Sequence, residues 1–120
     1  MEFVKKGEKI DTWSDLVTIQ NFNKRWGGRS TRQAYEGLRE IRERRCPGAT
    51  TWEVISEDKT SILYAAAATG CADQPDQREL VRILFGRNNR YRVSYATKGE
   101  LTPQARDTWV AWLAGLKLSR

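Results

Sequence analysis

An α+β fold, with an antiparallel β-sheet meander and two amphipathic helices in the order β-β-α-β-β-β-β-α, is predicted by three features of the sequence. Four strand-like runs, TWEVISE, SILYAAAATG, ELVRILFG and RYRVSYA, follow one another in the second half of the chain. The first and last of their connections, EDKT and GRNN, are short enough for antiparallel hairpins. Two further stretches carry helix-start signals and apolar residues at helical spacing. The 120 residues are read as one domain, 1–120, large enough to bury a core and too short for two independent ones.

The elements follow in chain order. EFVKKGEKI reads as a short strand or an extended arm, and DTWSDLVTIQNF holds the β-branched run LVTIQNF, a strand that NKRWGG breaks. In STRQAYEGLREIRERRC, Ser30 and Gln33 have capping-box spacing and predict a helix from about Thr31 to Arg45. Ala34, Leu38 and Ile41 form its core stripe. Arg32 with Glu36, Arg39 with Glu43 and Glu40 with Arg44 sit one turn apart on the wet face. The arginines gather at the C-terminal end, where the helix dipole favours cations, and Pro47-Gly48 stops the helix. Alanine favours helix, so Ala65 to Ala68 fit a strand less well. The run is read as one because it is short and follows Ile62-Leu63-Tyr64 directly, leaving a flat surface for something bulky. Finally, Thr102 is an N-cap with Pro103 at the first helical position. Ala105, Trp109, Trp112, Leu113 and Leu116 share one face, and both tryptophans are read as anchors on the sheet.

This order of helices and antiparallel strands resembles the PsbP/Mog1-like α/β/α sandwich found among small exported bacterial proteins. The similar stretches are WSDLVTIQNF before the first helix and TPQARDTWVAWL after the meander. The resemblance is one of topology and carries over no site residue. It implies a non-enzymatic binding or assembly role.

The chain has no histidine, which removes the commonest transition-metal ligand and the commonest general base. Its two cysteines, in RCPGA and TGCAD, lack CxxC spacing and cannot complete a zinc site alone. Neither metal, cofactor nor catalytic residue is assigned. Asp73, Asp76 and Glu79 in CADQPDQRE lack the alternation and glycine turn of a calcium loop. They read as a polar loop. RWGGRS offers backbone N–H groups to an anion without phosphate-loop spacing after it.

Cys46 ends the first helix and Cys71 ends the alanine strand, each beside a turn residue, so a Cys46–Cys71 disulfide at one edge of the sandwich is the favoured reading. Free structural thiols and a reactive Cys46 beside Arg44 and Arg45 are the alternatives. A disulfide places the protein in an oxidising compartment, periplasmic or secreted. The opening MEFVKKGEK holds no export signal, which suits either a cytoplasmic protein or a mature exported domain. No apolar run approaches the roughly 20 residues of a membrane span.

Lys and Arg number 21 against 15 Asp and Glu, a net charge of +6. The helix arginines are interleaved with glutamates and read as a solvated face. Around the last hairpin, Arg78, Arg82, Arg87, Arg90 and Arg92 have few acids near them. Arg82 and Arg92 each alternate with apolar residues and are expected on one sheet face, with Arg87 and Arg90 at the tip and Tyr91 and Tyr95 as aromatic contacts. The competing reading is an exposed hairpin kept soluble by charge. The expected function is that of a small exported binding or accessory module of an envelope assembly, contacting a protein or other anionic partner through this hairpin. The alternative is a cytoplasmic nucleic-acid-binding protein, although no sequence-reading motif accompanies the charge.

Overall fold

The computed structural model describes residues 2–4, 14–71 and 74–117. Strands β1 (Glu2–Val4) and β2 (Asp15–Asn23) precede helix α1 (Thr31–Arg45). Strands β3 (Thr50–Glu57), β4 (Ser61–Ala68), β5 (Gln77–Phe85) and β6 (Asn89–Thr97) follow, and helix α2 (Pro103–Ala114) comes last. All the strands join one antiparallel sheet in the order β1-β2-β6-β5-β4-β3. The fold is the expected α+β sandwich, and β3 to β6 form the expected meander. Of the N-terminal stretch read as strand or arm, Glu2–Val4 is a strand and residues 5–13 lie outside the described residues, as does Asp73.

Each helix starts as its capping residues dictate. Ser30 Oγ accepts from the Gln33 backbone N–H, and Thr102 Oγ1 from that of Ala105, satisfying donors that a helix start otherwise leaves open. Before α1, Gly27 turns at φ +80°, and a Cβ there would stand 2.7 Å from the Ala34 Cβ. Only glycine lets the turn close on the helix.

The strand register divides the core in two. On one face, under α1, lie Ala34, Tyr35, Ile62, Tyr64, Ala66, Val81 and Ile83. On the other, under α2, lie Leu63, Leu80, Leu84, Val93, Tyr95 and Leu113. β4 and β5 are apolar toward both faces because they are covered on both. Ile62, Leu80, Val81 and Ile83 are fully buried, each stabilising by about 1.5–3 kcal/mol. The alanines of β4 act as the flat surface foreseen: Ala66 pairs with Trp52, whose ring packs among Tyr35 and Tyr64.

The helix faces differ from expectation in places. Ile41 is 53% exposed rather than core, and Tyr35, one turn from Leu38 and buried, takes the central place. Of the three foreseen pairs on α1, Glu40–Arg44 forms at 3.6 Å. Arg32 reaches across to Glu57 at 2.5 Å, while Glu43 accepts from Trp52 Nε1 at 2.8 Å and from the Gly48 N–H. These tertiary partners are better placed than the intrahelical ones, which are worth only about 0.2–0.5 kcal/mol. On α2, Trp109 stacks on Tyr95 at 4.1 Å and is an anchor, but Trp112 meets Trp109 edge-on and remains 42% exposed.

Candidate anion-binding cleft

Paired residues of neighbouring antiparallel strands point to the same face. Arg82 pairs with Val93 and Ile83 with Arg92, so Arg82 and Arg92 lie on opposite faces of the sheet. The single hairpin patch expected from the sequence is therefore dispersed.

Arg82, on the α2 face, donates through Nη1 to the carbonyls of Leu113 (2.7 Å), Ala114 (3.1 Å) and Leu116 (2.6 Å), while Nη2 reaches Ser61 Oγ at 3.4 Å. It closes the C-terminus of α2, where carbonyls lack intrahelical partners and the dipole favours a cation. Burial lowers its pKa from the ordinary arginine value. Arg90 donates to the carbonyls of Trp26 and Gly28 and lies over the Phe85 ring, 3.8 Å from its centroid. The glycine turn thus presents carbonyl oxygens to a cation. Tyr95 is buried, and its hydroxyl donates to Asp15 Oδ1 at 2.8 Å. Burial pushes its pKa up to about 12. Tyr91 packs at the margin of the α2-face core. Arg87 is exposed at the hairpin tip.

Arg92 is the hairpin cation that faces a cavity. On the α1 side a cleft of about 140 Å3 opens between the last turns of α1 and the sheet. Leu38, Ile41, Arg42 and Arg45 supply its helix wall, Trp52, Tyr64 and Arg92 its floor, and Gln74 its far lip. The sequence signal for this site was the basic end of α1, read as a solvated face. The fold turns one side of that end inward.

Charge is arranged unevenly inside. Glu79, which the sequence suggested as part of a polar loop, sits in β5 at 5% exposure and is paired with Arg42. The Arg42 guanidinium also stacks over Trp52, 5.4 Å from the ring centroid. Glu79 is paired with Arg42, Glu43 accepts from Trp52 of the floor, and the guanidinium groups of Arg42, Arg45 and Arg92 all line the cleft. Arg92 Nη1 donates to Gln20 Oε1 at 3.0 Å. Its Nε, however, is buried and unpartnered, the one such side-chain atom among the described residues. A buried donor of this kind costs about 1–3 kcal/mol when left unsatisfied. Burial pushes the Tyr64 phenol up to about 12, with Arg92 nearby pulling the other way, so it stays protonated as a neutral hydroxyl on the cleft floor.

The disulfide frames the site. Cys46 and Cys71 are bonded, with Cα atoms 5.8 Å apart, and no free cysteine is present among the described residues. Cys46 caps α1, its N–H donating to the Arg42 carbonyl at 3.0 Å, one residue beyond Arg45. On the other side the Gln74 N–H donates to the Cys71 carbonyl at 3.2 Å. One covalent link therefore fixes both lips of the cleft. The adjacent turn is held by Asp76, whose Oδ1 accepts from the Gly70 N–H.

Among the described residues, no three carboxylate or sulfur side chains converge as metal ligands, and no helix is long and apolar enough to cross a membrane. No protein-family profile matches the chain, and no curated protein shows significant similarity to it.

Proposed function

We propose that this is a small, exported, non-enzymatic binding module that receives an anionic group of its partner in the Arg42–Arg45–Arg92 cleft. The observation that carries this reading is Arg92, which has a buried Nε without a partner and lines a cleft where cations outnumber carboxylates. An oxyanion there would accept from the guanidinium groups that line the cleft, and charge-assisted guanidinium–oxyanion bonds are the strong kind. The cleft size suits a terminal carboxylate or a single phosphate or sulfate group better than a polyanionic strand. Leu38 and Ile41 supply an apolar wall for whatever carries the charge.

The oxidising location rests on the disulfide, since such bonds persist outside the reducing cytosol. An accessory role in an envelope assembly suits a domain whose polar groups serve binding, and the topological resemblance to PsbP/Mog1-like sandwiches supports that reading. Isothermal titration with inorganic phosphate and with acetate tests the proposal. Wild-type protein should bind one of them, and Arg92→Met should lose at least about tenfold in affinity, or roughly 1.4 kcal/mol. Equal binding by both proteins, or by neither, removes the cleft as the site. Steep salt-dependent retention of DNA in a gel shift, unaffected by Arg92→Met, favours the nucleic-acid alternative instead.

A further inference from the structure

The β5–β6 hairpin tip, dispersed from Arg82 and Arg92, is joined by another loop instead. Its two-residue turn, Arg87-Asn88, is closed by the Gly86 N–H, which donates to the Asn89 carbonyl at 2.8 Å. Asn89 pairs with Asn23 at the end of β2, so the turn leading from β2 into α1 stands beside the tip. Arg90 bolts the two together: its guanidinium donates to the carbonyls of Trp26 and Gly28 in that turn while lying over Phe85 of the hairpin. The turn is braced again by Phe22 and Trp26, whose rings stack at 4.0 Å, and by Asn23 Oδ1, which accepts from the Arg25 N–H at 2.9 Å. Two loops thus form one braced end of the sheet.

That end is basic. Lys24, Arg25 and Arg29 on the β2–α1 turn and Arg87 on the hairpin tip are all exposed. No Asp or Glu occurs from Leu16 to Tyr35 or from Leu80 to Gly99, so neither loop brings a counterion of its own. Beyond β5 at the same end, the β3–β4 turn holds Glu57, paired with Arg32, and Asp58, which accepts from the Thr60 and Ser61 N–H groups beside exposed Lys59. The opposite end of the strands mixes its charges: Arg78 and Lys98 stand there with Asp15, Asp76 and Glu100. Such an asymmetry orients a molecule in the field of a charged surface.

We infer that this end is a docking surface, independent of the cleft, that sits on a bilayer of anionic phospholipids. The cleft lies at the C-terminal end of α1 and the basic loops at its N-terminal end, about 20 Å apart along the helix. Shape and chemistry both favour a lipid surface. Two turn tips side by side project from the sheet and meet a plane, whereas a single nucleic-acid strand is held in a groove by rings on which its bases stack. Here Phe22 and Trp26 stack on each other. Half-buried Trp26 lies among the cations, as an interfacial tryptophan does at headgroup level. A Lys or Arg close to an anionic leaflet contributes about fivefold in affinity, so Lys24, Arg25, Arg29 and Arg87 together supply roughly a thousandfold, which salt screens.

Co-sedimentation of the full chain with vesicles of mixed phosphatidylglycerol and phosphatidylcholine, and with phosphatidylcholine alone, at about 50 mM and about 500 mM salt tests this. The wild type should bind only the anionic vesicles and release them at high salt. Arg25→Glu with Arg87→Glu, at two exposed positions, should weaken that binding by at least about thirtyfold, while Arg92→Met, in the cleft, should bind vesicles as the wild type does. Circular dichroism checks the fold. Should the charge-reversal variant fail to fold, Lys24→Gln with Arg29→Gln, expected to lose about thirtyfold, decides in its place. Absence of binding to anionic vesicles, equal binding to neutral ones, full binding by the folded variants or loss of binding in Arg92→Met each overturns the inference, as does DNA retained in a gel shift at salt that releases the vesicles.

Discussion

Arg82 Nη1 lies 2.7 Å from the carbonyl oxygen of Leu113 and within bonding distance of two further carbonyls at the end of α2. A residue that the sequence presents as a partner-binding cation is thereby spent on closing a helix. Arg92, on the adjacent strand, lies on the other face and has a buried Nε without a partner.

Replacing Arg82 by Met should destabilise the fold by about 2–4 kcal/mol, because hydrogen bonds from charged donors contribute about 1.5–3 kcal/mol and three carbonyls lose their partner. Urea denaturation measures the loss. Phosphate or acetate affinity should be unchanged; a variant as stable as wild type refutes the capping role.

Glu79→Gln removes the negative charge beside Arg42 while keeping the side-chain shape. Anion affinity should rise by roughly tenfold, about 1.4 kcal/mol, as cleft charge becomes more positive. Stability should fall, because Arg42 loses its buried counterion. The two opposite movements are read by titration calorimetry and by urea melts, and weaker anion binding in the variant contradicts the electrostatic assignment.

Cys46 and Cys71 close a loop with a sequence separation of 25, and removing the bond with a Cys46→Ala/Cys71→Ala double variant should cost about 3 kcal/mol. The same variant should bind anions more weakly, since Arg45 and Gln74 are then no longer held opposite each other. Loss of stability with full anion affinity, measured below the melting range, separates the structural role from the proposed site role.

Stability should depend on pH mainly at the acid end. Asp58 accepts from the backbone N–H groups of Thr60 and Ser61 in the β3–β4 turn, which holds its carboxyl below the usual range. Glu57, paired with Arg32, is lowered in the same way. The unfolded chain then binds protons that the folded one does not, so stability is complete above the ordinary carboxylate pKa of about 4 and falls as pH drops through the lower folded values. With no histidine in the chain, little should change between about pH 6 and 8. Urea melts from acid to neutral pH check this, and Asp58→Asn should flatten the acid slope; an unchanged slope removes Asp58 as a contributor.

Local chemistry was enough to place the elements. Ser30 and Thr102 cap their helices, Pro103 opens α2, and the alternation in LVTIQNF and RYRVSYA reads as strand, because each signal acts over a few residues of backbone. The disulfide was also within reach, since turn residues beside Cys46 and Cys71 put both at element ends. What could not be read was the fate of each arginine. Arg82 and Arg92 belong to different strands, and whether they share a face depends on a register that a shift of one residue reverses. The structure sets Arg92 opposite Ile83 and Arg82 opposite Val93, which sends one cation to the end of α2 and the other to the cleft. Glu79 likewise looked like part of a loop until pairing with Ala66 and Ala96 fixed it in the sheet beneath Arg42. The sequence by itself determined which segments are helix and strand, because those preferences are local. Only the tertiary structure decided which charges are satisfied within the fold and which remain to meet a partner, because that follows from strand register and from which helix covers which strand.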